Sequence, residues 1–554
     1  MRIARQCFLL LLGVQIIVLI IFISRHWRLH VREMFSRRLV TVREVKVDWE
    51  TETKKDSQTL RQSINLTAIF DEYSLYSERK TGRKNATRES YVKTAEFQRR
   101  RHKGFLKHWC RIQNARTNWQ SILTPCVNDT VWGGNISKNV NQTDGTKSFI
   151  SFWDLQPAGR FSRFFIQSVS RSNENKSTGG DAWRIHLRGP SVVVPTVFDL
   201  NNGVYEVLFL LIEPGRYRAE IFLDYTLCNG LKDPPPYWFK SGNSQGKNQP
   251  DGILKGDKPF LIQEFRKGEV IEFDMMDAED HNLVYIKEIT ETAKCSCPSL
   301  LWDGLGRWAN GTWKPFLKTE TLQYRRPTTN GTLVIFGDSV ALGFYRTIHN
   351  SPEGICTRVF SSCKIIYNWV YNMRGYWGDG VTSPREPLPD GKDYDVKRVL
   401  DDVREVLYSP YMDEHSVLIL NWGIHFAAVV NFTSYQTLIN DFVHIIKHGE
   451  ADPKTGRFRK FRGKLIWKST TALNRHRFPN PHKDVRRFLT FPRVLLFNAF
   501  ATSAMCEAGI DVIDAYPITD AHPQGTVSKV DPVHYGGHVF FDVRRRIFDI
   551  FKPY

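Results

Sequence analysis

Leu333-Val-Ile-Phe-Gly337-Asp338-Ser339-Val-Ala-Leu-Gly is a short apolar run that ends in Gly-Asp-Ser and passes at once into a helical pattern. An apolar run without alternation fits a strand buried on both faces. The serine then stands at a helix N-terminus, where backbone N–H groups can receive a developing oxyanion. The plain alternative is a turn with Ser339 as a helix cap, a role serine often fills. The tripeptide by itself does not choose.

Working outward, the whole region from about Cys295 to Tyr554 has the same texture. Val417-Leu-Ile-Leu, Lys464-Leu-Ile-Trp, Val494-Leu-Leu-Phe and Val512-Ile-Asp-Ala read as strands that alternate with helical patterns. Between 435 and 447, Leu438, Phe442 and Ile445 fall on one helical face. Alternation of this kind predicts an α/β domain with a parallel sheet flanked by helices. Chemistry in such sheets sits at the carboxyl ends of the strands.

Two further segments bear on Ser339. A serine hydroxyl needs a base to take its proton, and the base needs an orienting carboxylate. Asp531-Pro-Val-His534 supplies both types, in a predicted loop after the last strand and about 20 residues from the end. Asp441-Phe-Val-His444 has the same spacing, but it lies inside the amphipathic helix and reads as a solvated pair. Val417-Leu-Ile-Leu-Asn421-Trp-Gly423-Ile-His425 is a strand that runs into polar residues, and Asn421 could donate its amide to an oxyanion. An ordinary turn asparagine beside a buried Trp422 is the equal alternative. The joint order strand–Ser, strand–Asn, loop–Asp-x-x-His carries the case.

Upstream the pattern is all-β. Trp183-Arg-Ile-His-Leu alternates and Ser191-Val-Val-Val-Pro is a short apolar run. Asn201-Asn-Gly turns into Val204-Tyr-Glu-Val-Leu-Phe, and Pro214-Gly turns into Tyr217-Arg-Ala-Glu-Ile-Phe. Closely spaced strands with such punctuation predict an antiparallel sandwich, and 269–289 resumes strand character. Residues 25–105 are polar, charged and poor in periodicity, the composition of a stem.

Cys7 to Ile23 is an apolar run broken only by Gln15, at the short end of what spans a bilayer. No small-x-small cleavage site follows, so an uncleaved signal anchor is expected. The flank after it (Arg25, Arg28, Arg32, Arg37, Arg38) is the more basic, which alone would leave the body cytosolic. Cysteines and sequons outvote that. Cys110, Cys126, Cys228, Cys295, Cys297, Cys356, Cys363 and Cys506 form an even set suited to disulfides in a lumen, with 105 pairings open. Asn-x-Ser/Thr occurs at Asn65, Asn85, Asn128, Asn135, Asn141, Asn175, Asn310, Asn330 and Asn431, about twice the chance number of roughly four. The expected location is a Golgi or secretory-pathway membrane as a single-pass type II protein, with secretion as the alternative.

Much of the surplus of 77 Lys+Arg over 58 Asp+Glu, net +19, lies in the polar stretch from Arg25 to Lys107. No zinc-finger or RNA-binding signature accompanies it, so a nucleic-acid partner is not expected. Cys295-x-Cys297 lacks a second ligand pair at zinc spacing, so no metal is expected either.

The order of the three C-terminal segments resembles the SGNH/GDSL hydrolase superfamily in its PC-esterase branch, with Gly337-Asp-Ser, Asn421-Trp-Gly-Ile-His and Asp531-Pro-Val-His as the matching blocks. Trp308-Ala-Asn-Gly-Thr-Trp313-Lys-Pro resembles the lead-in of that branch. Asp199-Leu-Asn-Asn-Gly-Val-Tyr-Glu-Val-Leu-Phe and Pro214-Gly-Arg-Tyr resemble the neurexophilin-like domain. Over about 145–554 the arrangement looks like the neurexophilin and PC-esterase domain (NXPE) family. With the anchor (1–24) and stem (25–105) read from composition, the resemblance implies an Ig-like, neurexophilin-like β-sandwich (106–294) and an SGNH-type α/β domain (295–554).

The same resemblance implies serine-dependent O-acetyl transfer or O-acetyl ester hydrolysis on glycans, sialic acid among them. No bound cofactor is implied; an acetyl donor, acetyl-CoA being one candidate, would be co-substrate, and a glycan or glycoprotein the acceptor. Ser339 would be nucleophile, His534 base and Asp531 its orienter. Asn421, the Ser339 amide and a glycine, matched to Gly375, would form the oxyanion hole. Asp338, Arg346, Trp422 and His425 are the substrate-binding candidates. The family often has an Arg just after the serine block; here Val340-Ala-Leu-Gly stands there, and Arg346 comes a turn later. Two other functions stay open: a non-enzymatic binding protein with the esterase fold as scaffold, and a lipid or carboxylester hydrolase.

Overall fold

The computed structural model describes residues 104–553, apart from 133–140, 278–294, 317–329, 378–393, 478–485 and scattered positions within 236–258, 296–299 and 369–374. The expected anchor, the stem and Asn65, Asn85 and Asn135 lie outside the described residues. Among those described, no helix is long and apolar enough to cross a membrane.

The N-terminal part is built from antiparallel sheets. One has the order β1-β2-β6-β5, from Phe149–Asp154 (β1), Phe161–Gln167 (β2), Thr196–Asp199 (β5) and Val204–Leu210 (β6). The other contains Ala182–Arg188 (β3), Ser191–Val193 (β4), Gly215–Tyr225 (β7), Gln263–Glu264 (β8) and Ile271–Met275 (β9). Alternation decides which side chains meet between them: Trp183, Ile185 and Leu187 of β3 are buried, and their neighbours are half-buried. These pack with Phe164, Val207, Phe209, Tyr217 and Leu223 into one interior, the sandwich the sequence predicts.

The C-terminal part is a seven-stranded sheet of order β10-β20-β19-β16-β13-β14-β15. Its members are Leu300–Trp302 (β10), Thr332–Gly337 (β13), Ser362–Tyr367 (β14), Gly375–Trp377 (β15), Val417–Leu420 (β16), Lys464–Lys468 (β19) and Asp511–Ile513 (β20), while Glu450–Ala451 (β17) and Phe458–Arg459 (β18) form a separate two-stranded ribbon. Every pairing in the seven-stranded sheet is parallel except the edge pair β14–β15. All six residues of β13 are buried, as its unbroken apolar run requires. Val334, Phe336, Leu418 and Leu420 face one helical layer, with Leu438 and Phe442, while Leu333, Ile335, Val417 and Ile419 face another, with Phe344 and Ile547.

Two expectations change. Val494-Leu-Leu-Phe is not a strand but part of the helix Phe491–Glu507, capped by the Thr490 side chain and with proline in its first turn. A four-residue apolar run does not distinguish a buried strand from a helix buried nearly all round. The boundary at 295 is also not clean. The hairpin Gly306–Ala309 (β11) and Thr312–Pro315 (β12) extends the sandwich sheet through β4. Its Trp308 indole meanwhile donates to the Ile518 carbonyl of the α/β part at 2.9 Å. The Trp-rich lead-in therefore joins the two parts.

Four disulfides form: Cys110–Cys295, Cys126–Cys228, Cys297–Cys506 and Cys356–Cys363. They mark a secretory or extracellular environment. The neighbours Cys295 and Cys297 diverge, one tying the helix at 104–114, the other the helix Phe491–Glu507. The six described sequon asparagines, Asn128, Asn141, Asn175, Asn310, Asn330 and Asn431, are all exposed.

Candidate active site

β13 delivers its last residue to the carboxyl edge of the sheet, and the helix Ser339–His349 (here α1) starts on the next turn. A Cβ on Gly337 would lie 2.8 Å from the Ala341 Cβ, so only glycine allows strand and helix to close this tightly. Asp338 caps the helix by accepting the Val340 N–H at 2.9 Å. The Ser339 amide thereby occupies the first helical position, which has no intrahelical acceptor. Ser339 is half-buried between a buried Asp338 and a buried Val340.

The loop after β20 brings the other two groups. His534 Nε2 lies 2.7 Å from Ser339 Oγ, 195 residues away in sequence. Its Nδ1 lies 2.9 Å from Asp531 Oδ2 and 3.2 Å from Oδ1. Nδ1 facing a carboxylate carries the proton, which leaves Nε2 to accept from the serine hydroxyl. Asp531 Oδ1 also accepts the N–H groups of Val533 at 2.9 Å and His534 at 3.0 Å. Burial would raise this carboxyl, but those two amides and the imidazole outweigh it and hold it below the usual carboxylate range.

The loop is pinned from several sides. Asn474 N–H donates to the Pro532 carbonyl at 2.8 Å and the Tyr535 hydroxyl to the Ala472 carbonyl at 3.1 Å. Val527 N–H donates to the His534 carbonyl at 2.8 Å. Arg477 donates from Nη1 to the carbonyls of Thr526 (2.8 Å) and Ser528 (3.1 Å).

The remaining predicted positions divide. His425, early in the helix Ile424–Val429, belongs to the site: burial lowers its pKa, with Asp338 opposing and His534 adding to the fall. Asn421 is at the end of β16 as expected, but its amide donates to the Lys468 carbonyl at 2.8 Å and Thr470 Oγ1 at 3.3 Å. In this arrangement Nδ2 already donates to the end of β19 and to Thr470 just beyond it, so an oxyanion would compete with those two acceptors. Asp338 is 4% exposed and spent on its cap, so it positions the helix. Trp422 is 1% exposed and packs on Phe442 and Trp467, which makes it core. Arg346 is exposed, two turns and roughly 10 Å of helix from Ser339. Tyr367 pairs with Gly337 on one side and Gly375 on the other, so Gly375 stands two strand spacings, roughly 10 Å, from Gly337. That is too far for a donor at the serine.

Sequence reading missed Lys468. It ends β19, is 1% exposed, donates to the Ser469 carbonyl at 3.1 Å and lies 5.7 Å from the Phe344 ring centre. Burial lowers its ammonium pKa to about 8, with Asp338 pulling back. The available signal was a lysine at the carboxyl end of an apolar strand, where sites in such sheets cluster. Among the described residues, no group of His, Cys, Asp and Glu is arranged to hold a metal ion.

No family model matches the chain. Among solved structures, the Lin-41 filamin domain aligns with 15% of this chain and 82% of its own length, at 17% identity and a TM-score of 0.14, a likeness too slight to bear on fold or function.

Proposed function

We propose that the chain is a serine-dependent acyl-transfer enzyme of the SGNH type, an O-acetyltransferase or O-acetylesterase acting on glycans. The observation that carries this reading is the continuous series Ser339 Oγ, His534 Nε2, His534 Nδ1 and Asp531 Oδ2, with links of 2.7 and 2.9 Å, assembled from segments nearly two hundred residues apart. Groups with only a structural duty have no need of that serial order.

In this mechanism Ser339 Oγ attacks the acetyl carbonyl as its proton passes to His534 Nε2, and Asp531 stabilises the resulting imidazolium. The tetrahedral oxyanion faces the free Ser339 amide at the helix N-terminus. The leaving oxygen or sulfur takes the proton from His534, leaving acetyl-Ser339. A sugar hydroxyl, or water, then attacks that ester with His534 again as base and restores the serine. The acetyl chemistry and the glycan acceptor come from the family resemblance.

One observation favours a second reading, a binding protein with an inactive esterase fold: the Asn421 amide is committed to Lys468 and Thr470. The test for the first reading is mass spectrometry of glycans from cells expressing wild-type or Ser339→Ala protein. A difference of one acetyl group, present only with the wild type, supports acyl transfer. Identical glycans, with both proteins folded and equally abundant, argue for the second reading.

A further inference from the structure

The sandwich and the α/β part enclose a cavity of about 310 Å³ along their seam. Its first wall is the surface of β3 and β7, with Arg184, His186 and Arg218. The second wall is formed by the segments after β19 and β20, with Asn474, Asp520 at the end of the helix Tyr516–Asp520, and Tyr535. Tyr535 directly follows His534, so one loop carries the base on one residue and lines the cavity with the next. The two walls already touch: His186 Nε2 is 3.1 Å from the Asp520 carbonyl, and Arg188 donates to the Pro523 carbonyl at 3.3 Å.

The chemistry of the lining selects the ligand. Arg184 and Arg188 look like an anion site, but Asp224 at 2.8 Å and Glu220 at 2.7 Å already neutralise them. What remains is a mixture of unmatched donors and acceptors. Arg218 has no ion-pair partner within 4 Å among the described residues. The Asp520 carboxyl receives no hydrogen bond there; His186 Nε2 lies 3.8 Å away, but burial lowers that imidazole's pKa to about 3, so it is uncharged near neutral pH. Asn474 Oδ1 is buried without a partner. Arg218 is exposed at the rim and Asp520 half-buried, whereas the buried Asn474 Oδ1 is costly in this state unless a ligand or water completes it. An acyl chain would strand them, and a bare anion would satisfy Arg218 while meeting Asp520 and Asn474 oxygen to oxygen. A polyhydroxylated ligand both donates and accepts at each hydroxyl. Burial raises Asp520 to about 7, so near neutral pH it can itself donate as well as accept. The volume lies at the lower end of small-ligand sites, ~300–1,000 Å³, the scale of a short saccharide segment.

The geometry points to this seam cavity as a saccharide-binding site that holds non-reacting sugar units of the acceptor, with Arg218, Asp520 and Asn474 as contacts. The inference rests on the acyl-transfer reading for the word acceptor, but saccharide binding can be tested without turnover. The full-length Ser339→Ala chain is applied to a printed array of defined oligosaccharides, alone and with a second change, Arg218→Ala or Asp520→Ala. Arg216→Ala, on the same strand but ion-paired to Asp274 in the open, is the control, and thermal midpoints check folding.

Binding to saccharide spots, lowered about tenfold or more by either cavity substitution and unchanged by Arg216→Ala, is the expected result. Equal binding in all variants, or no binding to any spot, overturns the proposal. So does binding of inorganic sulfate that depends on Arg218 with no saccharide binding, since that describes an anion site. Labelling of the wild type by a fluorophosphonate separates the two ideas. Array binding that needs Arg218, in a chain the probe never labels, supports the cavity and sinks acyl transfer; labelling without array binding does the reverse.

Discussion

Asp531-Pro-Val-His534 and Asp441-Phe-Val-His444 have the same spacing and lie in different physical settings. The second pair rides on the helix Phe432–His448, with both side chains exposed and no hydrogen bond between them; His444 instead lies 4.8 Å, ring centre to ring centre, from His448. The first pair sits in a loop whose backbone turns two N–H groups onto the carboxylate and aims the imidazole at Ser339. Helix geometry makes residues three apart neighbours on a surface, and it spends their N–H groups on the helix itself. A loop leaves those N–H groups free to fix a carboxylate. Spacing proposes a dyad, and backbone direction decides whether there is one.

The sharpest way to break this contrast is to remove each imidazole in turn. His534→Ala should lower turnover of an acetyl ester roughly 10⁴-fold or more, while His444→Ala stays near the wild-type rate; equal effects would erase the distinction. The carboxylates come next. Asp531→Asn should cost roughly 10³–10⁴-fold in kcat, since the amide no longer holds the required tautomer, and Asp441→Asn should cost nothing measurable in the same assay.

A smaller effect separates the buried from the solvated side of the comparison. Lys468, beside the helix Ser339–His349, has its pKa lowered to about 8 by burial. The unfolded chain therefore holds this proton to higher pH than the folded one. The group destabilises the fold below pH 8, and the penalty is relieved as pH rises from about 8 toward the ordinary lysine value. Removing it should stabilise the protein by on the order of 3 kcal/mol at pH 7, less whatever the lost Ser469 contact costs. Denaturant midpoints at pH 7 and pH 10 check this: the gap between wild type and Lys468→Met should narrow at pH 10. A constant gap would remove the assignment.

The smallest effect concerns the helix bearing Asp441 and His444. Asn431 caps it by accepting the Ser434 N–H at 2.8 Å. In unglycosylated protein, Asn431→Ala should cost about 1 kcal/mol. Thr433→Ala, which destroys the same sequon and keeps the cap, should cost clearly less. Neither should change ester turnover, which would mark this helix as scaffold.

Much of this was legible in the residues. Unbroken apolar runs such as Leu333 to Phe336 report strands covered on both faces, and the alternation of β3 reports a sheet with one buried side. The positions of Ser339, Asp531 and His534 followed from strand ends and loops. The failures have physical causes as well. Val494 to Phe497 are equally apolar in a helix buried nearly all round, so hydropathy carried no period to read. Trp422, Asn421 and Gly375 turn on side-chain direction and strand order, which local pattern does not encode. Lys468 is polar at a strand end, where solvent exposure would be the ordinary guess. It is buried by packing from other parts of the chain, Phe344 among them, whose ring centre lies 5.7 Å from its ammonium.

The proposed acyl transfer depends most directly on Ser339 being a hydroxyl made nucleophilic by His534. Full-length protein treated with a fluorophosphonate probe and digested for peptide mass spectrometry should carry the adduct on Ser339, and both Ser339→Ala and His534→Ala should abolish it. Folded wild-type protein that takes no label, or takes it equally without His534, would contradict the central claim.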